Sequence, residues 1–190
     1  AVRAELGVGP AAPLVGMIAC LKPQKDPLAF VEVARRIAER LPRARFVLAG
    51  DGRLRPAVEA AVARAGLGAR LRLLGWRRDV PRLLRALDLF VLTSRWEGLP
   101  LTYLEAMATG VPIVGTAVDG APEAVHHGEQ GLLCRPGDLD AMAAGAVEIL
   151  QTPALAREMA ARGMARAREF DRWKMLGAHE ALYLRLAGVS

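Results

Sequence analysis

Ser94-Arg-Trp-Glu-Gly-Leu-Pro-Leu-Thr-Tyr-Leu-Glu-Ala-Met-Ala-Thr-Gly110 is the stretch on which the reading of the whole chain turns. Just before it, Asp88-Leu-Phe-Val-Leu-Thr93 is an apolar run of strand length, suited to the centre of a parallel sheet. After it, Leu101 to Thr109 reads as helix, with Leu101, Leu104 and Met107 on one face and Gly110 as the stop. Pro100 stands at the helix start, where no N–H is needed. Glu97 therefore falls in the loop and Glu105 about a turn inside the helix, with seven residues between them. The unpaired N–H groups of Leu101 and Thr102 point out of the helix start as an anion site. Two carboxylates around a positive pocket of phosphate size do little for a fold. They suit a phosphorylated sugar.

Working outward, strands of four to eight residues alternate with helices. Leu14–Leu21, Arg45–Ala49, Leu71–Leu74, Leu89–Thr93, Ile113–Gly115 and Leu132–Cys134 read as strands. Helices are expected over Pro27–Arg40, with Phe30, Val33 and Ile37 inward, and over Leu54–Ala65, Asp79–Ala86, Asp138–Leu150, Pro153–Arg168 and Arg172–Leu186. This order predicts an α/β domain: a Rossmann-like open parallel sheet of about six strands with helices on both faces. Ligands of such sheets sit outside the carboxyl ends of the strands, near the switch in strand order. Residues 1–13 are small, rich in Gly and Pro and without period, and read as the remnant of an interdomain linker. Residues 14–170 make the domain, and 171–190 a helix that packs back on it or reaches toward a further domain.

At 190 residues and 53% hydrophobic, the chain suits one domain with a sizeable core, and with 5% aromatics that core is aliphatic. A net charge of +6 favours polyanions, anionic membrane surfaces or phosphate ligands without choosing among them. No basic run interleaved with aromatics occurs, which speaks against nucleic acid. Cys20 and Cys134 lie far apart at the ends of apolar runs and read as two buried free thiols of a reducing compartment. The uncharged stretches are broken by Pro10 and Pro13, or by Gly110 and Pro112, so none spans a bilayer.

Several patterns point away from other chemistries. Gly50-Asp-Gly52 is a turn; Arg55 stands where a dinucleotide fingerprint needs its third Gly, and no Walker A pattern occurs. Asp138-Leu-Asp140 has the spacing of a metal-binding D-x-D, but after Pro136-Gly137 it reads as an N-cap and first-turn acid. His126 and His127 with Glu129 read as a solvated helix end, so no metal site is expected. Taken singly, Lys25 is equally a solvated loop lysine, Glu97 a surface acid near a helix dipole, and Glu105 a helix-surface charge.

Glu97-Gly-Leu-Pro-Leu-Thr-Tyr-Leu-Glu105-Ala-Met-Ala-Thr-Gly-Val-Pro112 resembles the E-x7-E region of the group 1 glycosyltransferases, retaining enzymes of the GT-B fold. The resemblance runs from about Val15 to Tyr183 and includes Leu21-Lys-Pro-Gln-Lys25, Ala49-Gly-Asp-Gly52, Leu74-Gly-Trp-Arg-Arg-Asp-Val80, Gly120-Ala-Pro-Glu123 and Gly131-Leu-Leu-Cys-Arg-Pro-Gly137. It implies that the chain is the donor-binding half of a metal-independent enzyme, one half of a GT-B fold, taking an NDP-sugar and needing no other cofactor. UDP, GDP and ADP remain open as the nucleotide.

By resemblance, Glu97 holds the transferred sugar and Lys25 the leaving diphosphate, as the catalytic pair. Glu105 takes the ribose, Gly98, Leu99, Leu101 and Thr102 offer backbone N–H groups, and Arg77 and Val80 read the base largely through backbone. Where the family commonly has an Arg before the Leu of the Lys25 loop, this chain has Cys20. An N-terminal domain supplies the acceptor site in the family, so the chain alone is expected to bind nucleotides weakly and transfer no sugar. The resemblance further implies a cytoplasmic enzyme, at the inner membrane face where its acceptor is lipid-linked. A non-catalytic nucleotide-sugar-binding module and an epimerase-like domain are the rival readings.

Overall fold

The computed structural model describes residues 2–188. Six strands, β1 (Leu14–Ile18), β2 (Arg45–Ala49), β3 (Leu71–Gly75), β4 (Leu89–Leu92), β5 (Ile113–Thr116) and β6 (Gly131–Cys134), form one sheet. Its order is β3-β2-β1-β4-β5-β6 and every neighbouring pair is parallel. Val15 and Gly16 of β1 pair with Leu89 and Phe90 of β4, so the strand order reverses between these two central strands. β1, β4 and β5 are buried along their whole lengths, which explains their unbroken apolar runs.

The helices are α1 (Val2–Glu5), α2 (Pro27–Arg40), α3 (Arg55–Arg64), α4 (Val80–Leu84), α5 (Leu101–Ala108), α6 (Ala121–Ala124), α7 (Leu139–Gln151), α8 (Pro153–Ala167) and α9 (Arg172–Leu186), with 3-10 turns at Pro23–Lys25 and Arg168–Phe170. Right-handed crossovers from a strand order that reverses direction place helices on both faces. Accordingly α2 packs between α3 and α7, and α5 between α4 and α8. The core is aliphatic with Phe30, Phe46, Phe90 and Tyr103 fully buried. Each such side chain contributes roughly 1.5–3 kcal/mol by leaving water.

Some expectations need correcting. β1 stops at Ile18, short of Leu21, because the chain then turns along Gly50-Asp51-Gly52. A Cβ on Gly50 would lie 2.0 Å from the Ala19 carbonyl oxygen, so glycine is what lets the two loops touch. The inward face of α5 is Tyr103, Ala106 and Met107; Leu101, the first helical residue beyond the carboxyl end of β4, is 65% exposed. Within residues 2–13 part of the chain packs on the domain. Val2, Leu6 and Val8 are buried, and Arg3 donates to the Ala86 carbonyl at 3.0 Å and to Asp88 at 2.9 Å.

At the other end, α9 does not pack back on the domain. None of its residues is buried, and Trp173, Leu176, Tyr183 and Leu186 are exposed. Cys134 is buried but Cys20 is only half-buried, at the rim of a cavity, because β1 has ended before it. The Asp138 side chain accepts from the Ala141 N–H at 3.0 Å as an N-cap, while Asp140 pairs with Arg36 at 2.6 Å. No helix among the described residues is long and apolar enough to cross a membrane.

Candidate functional site

Lys25 and Glu97 are 72 positions apart and meet beyond the carboxyl ends of β1 and β4, where the strand order reverses. Their ion pair is largely out of water, the side chains being 17% and 6% exposed. The Lys25 turn is held by the chain after β4. Thr93 Oγ1 donates to the Asp26 carbonyl at 2.8 Å, Arg95 N–H donates to the Gln24 carbonyl at 2.8 Å, and Arg95 Nε donates to Asp26 Oδ2 at 2.8 Å. Asp26 also caps α2, accepting from the Ala29 N–H at 3.3 Å.

Glu97 is held from three sides. Ser94 Oγ donates to its Oε1 at 2.5 Å, Lys25 Nζ pairs with the same oxygen, and its own N–H donates to Asp119 Oδ2 at 2.8 Å. Thr116 Oγ1 in turn donates to the Ser94 carbonyl at 2.5 Å. With Oε1 shared by two donors, Oε2 remains to accept from a ligand hydroxyl.

The start of α5 stays open. Pro100 stands at the cap position with no side-chain hydrogen bond, and the N–H groups of Gly98, Leu99, Leu101 and Thr102 have no partner among the described residues. A Cβ on Gly98 would meet nothing within 4 Å, so that side of the loop is open among the described residues. Backbone donors, a helix N-terminus and a lysine together make a cradle for an anion.

Beside it lies a cavity of about 190 Å³ at the carboxyl ends of β1, β2 and β3, lined among others by Cys20, Gly50, Trp76, Arg77, Val80, Thr102 and Glu105. Four of the expected residues, Arg77, Val80, Thr102 and Glu105, thus share one cavity. Glu105 is exposed at its rim, and desolvation there raises its carboxyl above the usual range. The Arg77 guanidinium is taken up by ion pairs with Glu5 and with Asp79, the latter at 2.8 Å. Those two carboxylates push its pKa up. The expected residues therefore form two adjoining groups: Lys25, Glu97, Gly98, Leu99 and Leu101 at the cradle, and Glu105, Arg77 and Val80 at the cavity, with Thr102 between.

Three contributors escape a reading of the sequence: Ser94, Asp119 and Trp76. Ser94 lies in the central stretch but carries no pattern of its own, and Asp119 reaches Glu97 only across 22 positions. Trp76, 76% exposed at the cavity, follows the β3 glycine within a quoted motif and is the one with a visible signal. A larger cavity of about 410 Å³ lies at the opposite end of the strands, by the amino ends of β1, β4 and β5, among Pro10, Pro13, Asp88, Pro112 and Arg157. It brings together none of the expected site residues. Among the described residues no group of three or more His, Cys, Asp or Glu side chains stands close enough to hold a metal.

The family described as Glycosyl transferases group 1 matches residues 12–152. The UDP-Gal:alpha-D-GlcNAc-diphosphoundecaprenol alpha-1,3-galactosyltransferase of Escherichia coli is 42% identical over 127 residues, 65% of this chain and 33% of its own length. The lipopolysaccharide core biosynthesis mannosyltransferase LpsB of Rhizobium meliloti is 36% identical over 171 residues, 86% of this chain and 49% of its own. The chain thus spans between a third and a half of these relatives. The crystal structure of Anabaena Alr3699/HepE in complex with UDP superposes with a TM-score of 0.87 at 26% identity, over 99% of this chain and 52% of that one.

Proposed function

Because the chain belongs to the group 1 glycosyl transferases, we propose that it binds the nucleotide half of a sugar donor and presents the sugar for retaining, metal-independent transfer to an acceptor hydroxyl. Its sheet is one Rossmann-like half of the GT-B fold. One observation carries the proposal: Lys25 and Glu97 meet at the reversal of strand order, beside four backbone N–H groups without a protein partner.

The diphosphate lies over the Gly98, Leu99, Leu101 and Thr102 amides, and Lys25 Nζ shifts from Glu97 to the β-phosphate. Fixed positive groups at the leaving oxygen stabilise charge as it develops. The bond from the anomeric carbon to that oxygen breaks and its electron pair leaves with the nucleoside diphosphate. The acceptor oxygen bonds to the same face of the anomeric carbon and passes its proton to the departing phosphate. Glu97 Oε2 accepts from a sugar hydroxyl, Glu105 from the ribose, and the Arg77–Val80 backbone meets the base in the cavity.

Uridine nucleotides head the candidates, since Alr3699/HepE is seen with UDP and with UDP-glucose and the Escherichia coli relative's name carries UDP-Gal. On this reading the acceptor is bound by a further part of the enzyme, and the uncovered apolar residues of α9 favour a contact with it. The chain alone then binds nucleoside diphosphates and turns nothing over. The net charge of +6 and a relative named for a diphosphoundecaprenol-linked sugar favour work at an anionic membrane surface.

The test is release of nucleoside diphosphate from UDP-, GDP- and ADP-sugars by the chain joined to its acceptor half, with and without EDTA, and the product anomer read by NMR. Release unaffected by EDTA with a retained anomer supports the reading, and an inverted anomer contradicts it. Cys20 at the cavity offers no guanidinium to the diphosphate, which favours a second reading as a non-catalytic binding module. Donor binding without release marks that module; an epimerised sugar without acceptor marks an epimerase.

A further inference from the structure

Among the described residues, only Asp26 and Asp119 combine a side chain with a left-handed backbone, at φ 43° and 42°. They stand on either side of the Lys25–Glu97 pair. Asp26 closes the Lys25 turn and caps α2. Asp119 has no helix to cap: its carboxylate accepts the Glu97 N–H at 2.8 Å. The next residue, Gly120, lies against the same loop, where a Cβ would come 2.1 Å from the Gly98 carbonyl oxygen. With the Thr116 hydroxyl on the Ser94 carbonyl, the end of β5 and the turn after it touch the loop after β4 at Ser94, Glu97 and Gly98 in succession.

We propose that Asp119 is a positioning residue for the donor: it clamps the Glu97 amide, so that the Glu97 carboxylate and the Gly98 and Leu99 amides hold their places at the cradle. This rests on the donor-site reading above. Asp119 takes up one N–H of the loop, that of Glu97, and leaves the next two without a partner among the described residues. An αL residue sets the direction of the turn, and Asp and Asn adopt that conformation more readily than other side chains. Side-chain acceptor and backbone conformation are therefore separable by substitution.

Asp119→Gly keeps the left-handed turn and removes the acceptor, whereas Asp119→Asn keeps both. In the unliganded chain, hydrogen exchange followed by NMR should show the Glu97 amide protected in wild type and in Asp119→Asn, and about fivefold less protected in Asp119→Gly, the worth of one modest hydrogen bond. Titrations with uridine, UDP and UDP-glucose supply the second arm. Asp119→Gly should lose about fivefold in affinity for UDP-glucose and keep its affinity for uridine, while Asp119→Asn matches wild type throughout.

Equal Glu97 protection in all three proteins overturns the proposal, and so does full UDP-glucose affinity in Asp119→Gly. Parallel losses for uridine and UDP-glucose also overturn it, because they mark general damage to the fold. A wild-type chain that binds none of UDP, GDP and ADP sinks the donor reading itself; the Glu97 amide then still decides whether Asp119 clamps the loop.

Discussion

Replacing Lys25 by alanine leaves the Glu97 carboxylate in place and takes away the cation paired with it. With side chains 17% and 6% exposed, both charges lie mostly out of water. Removing one partner of a buried pair costs about 3–5 kcal/mol, because the remaining charge stays desolvated without compensation. The lower end applies here, since the Ser94 hydroxyl still donates to Glu97 at 2.5 Å. A loss of about 3 kcal/mol is therefore expected for Lys25→Ala. With a urea slope of about 2.5 kcal/mol per molar, the unfolding midpoint should drop by about 1.2 M. Adding Glu97→Gln removes the stranded charge while keeping shape and the Ser94 contact, and should restore the midpoint to within about 0.4 M of wild type. Urea unfolding followed by circular dichroism on the four proteins of this cycle gives the coupling directly. A Lys25→Ala shift below about 0.3 M would refute the reasoning, because the pair would then behave as a solvated one. So would a double variant no more stable than Lys25→Ala.

The same pair predicts an asymmetry in ligand binding. Glu97→Gln frees Lys25 for phosphate, so affinity for UDP should hold or rise while the advantage of UDP-glucose over UDP shrinks, as calorimetric titration of both ligands would show. Gly120→Ala puts a methyl group 2.1 Å from the Gly98 carbonyl oxygen. Backbone there cannot yield cheaply, so the variant should lose about 1–3 kcal/mol of stability and bind UDP-glucose more weakly, read by thermal unfolding and titration. Desolvation raises the Glu105 carboxyl, so the folded protein keeps that proton to higher pH than the unfolded chain and stability falls as pH rises through the carboxylate range. Glu105→Gln should therefore be more stable than wild type at neutral pH, and indistinguishable from it below the range where carboxyls ionise. Urea midpoints across that range test the sign.

The centre of the sheet was legible because β1 and β4 are unbroken apolar runs followed by loop residues. The strand expected over Leu89–Thr93 is the clearest case, and β4 ends one residue short of it, where the Thr93 hydroxyl donates to the Asp26 carbonyl. Asp138 was legible for a similar reason: capping is decided within three residues of sequence. The open start of α5 followed from Pro100, which neither donates nor caps.

What the sequence concealed acts across the fold. Lys25 and Glu97 neutralise each other through 72 positions, and local pattern gives no reason for them to meet. Asp119 works by a side-chain to backbone bond, which leaves no periodicity behind. Leu101 reads as inward because an α5 face can be drawn through it, yet as the first helical residue beyond the carboxyl end of β4 it stays exposed. Residues 2–13 lack a period, so nothing in their pattern shows that Arg3 reaches Ala86 and Asp88. For α9 the apolar residues were visible, but not that the domain leaves them uncovered.

The most direct measurement is the amide NMR spectrum of the chain as UDP, GDP and ADP are added in turn. A nucleoside diphosphate held at the reversal of strand order should move the amide signals of Gly98, Leu99, Leu101 and Thr102 together, with those of Gly50 and Arg77 around the adjoining cavity. Shifts confined to the residues near Pro10, Asp88 and Arg157, or no shift with any of the three nucleotides, would contradict the account.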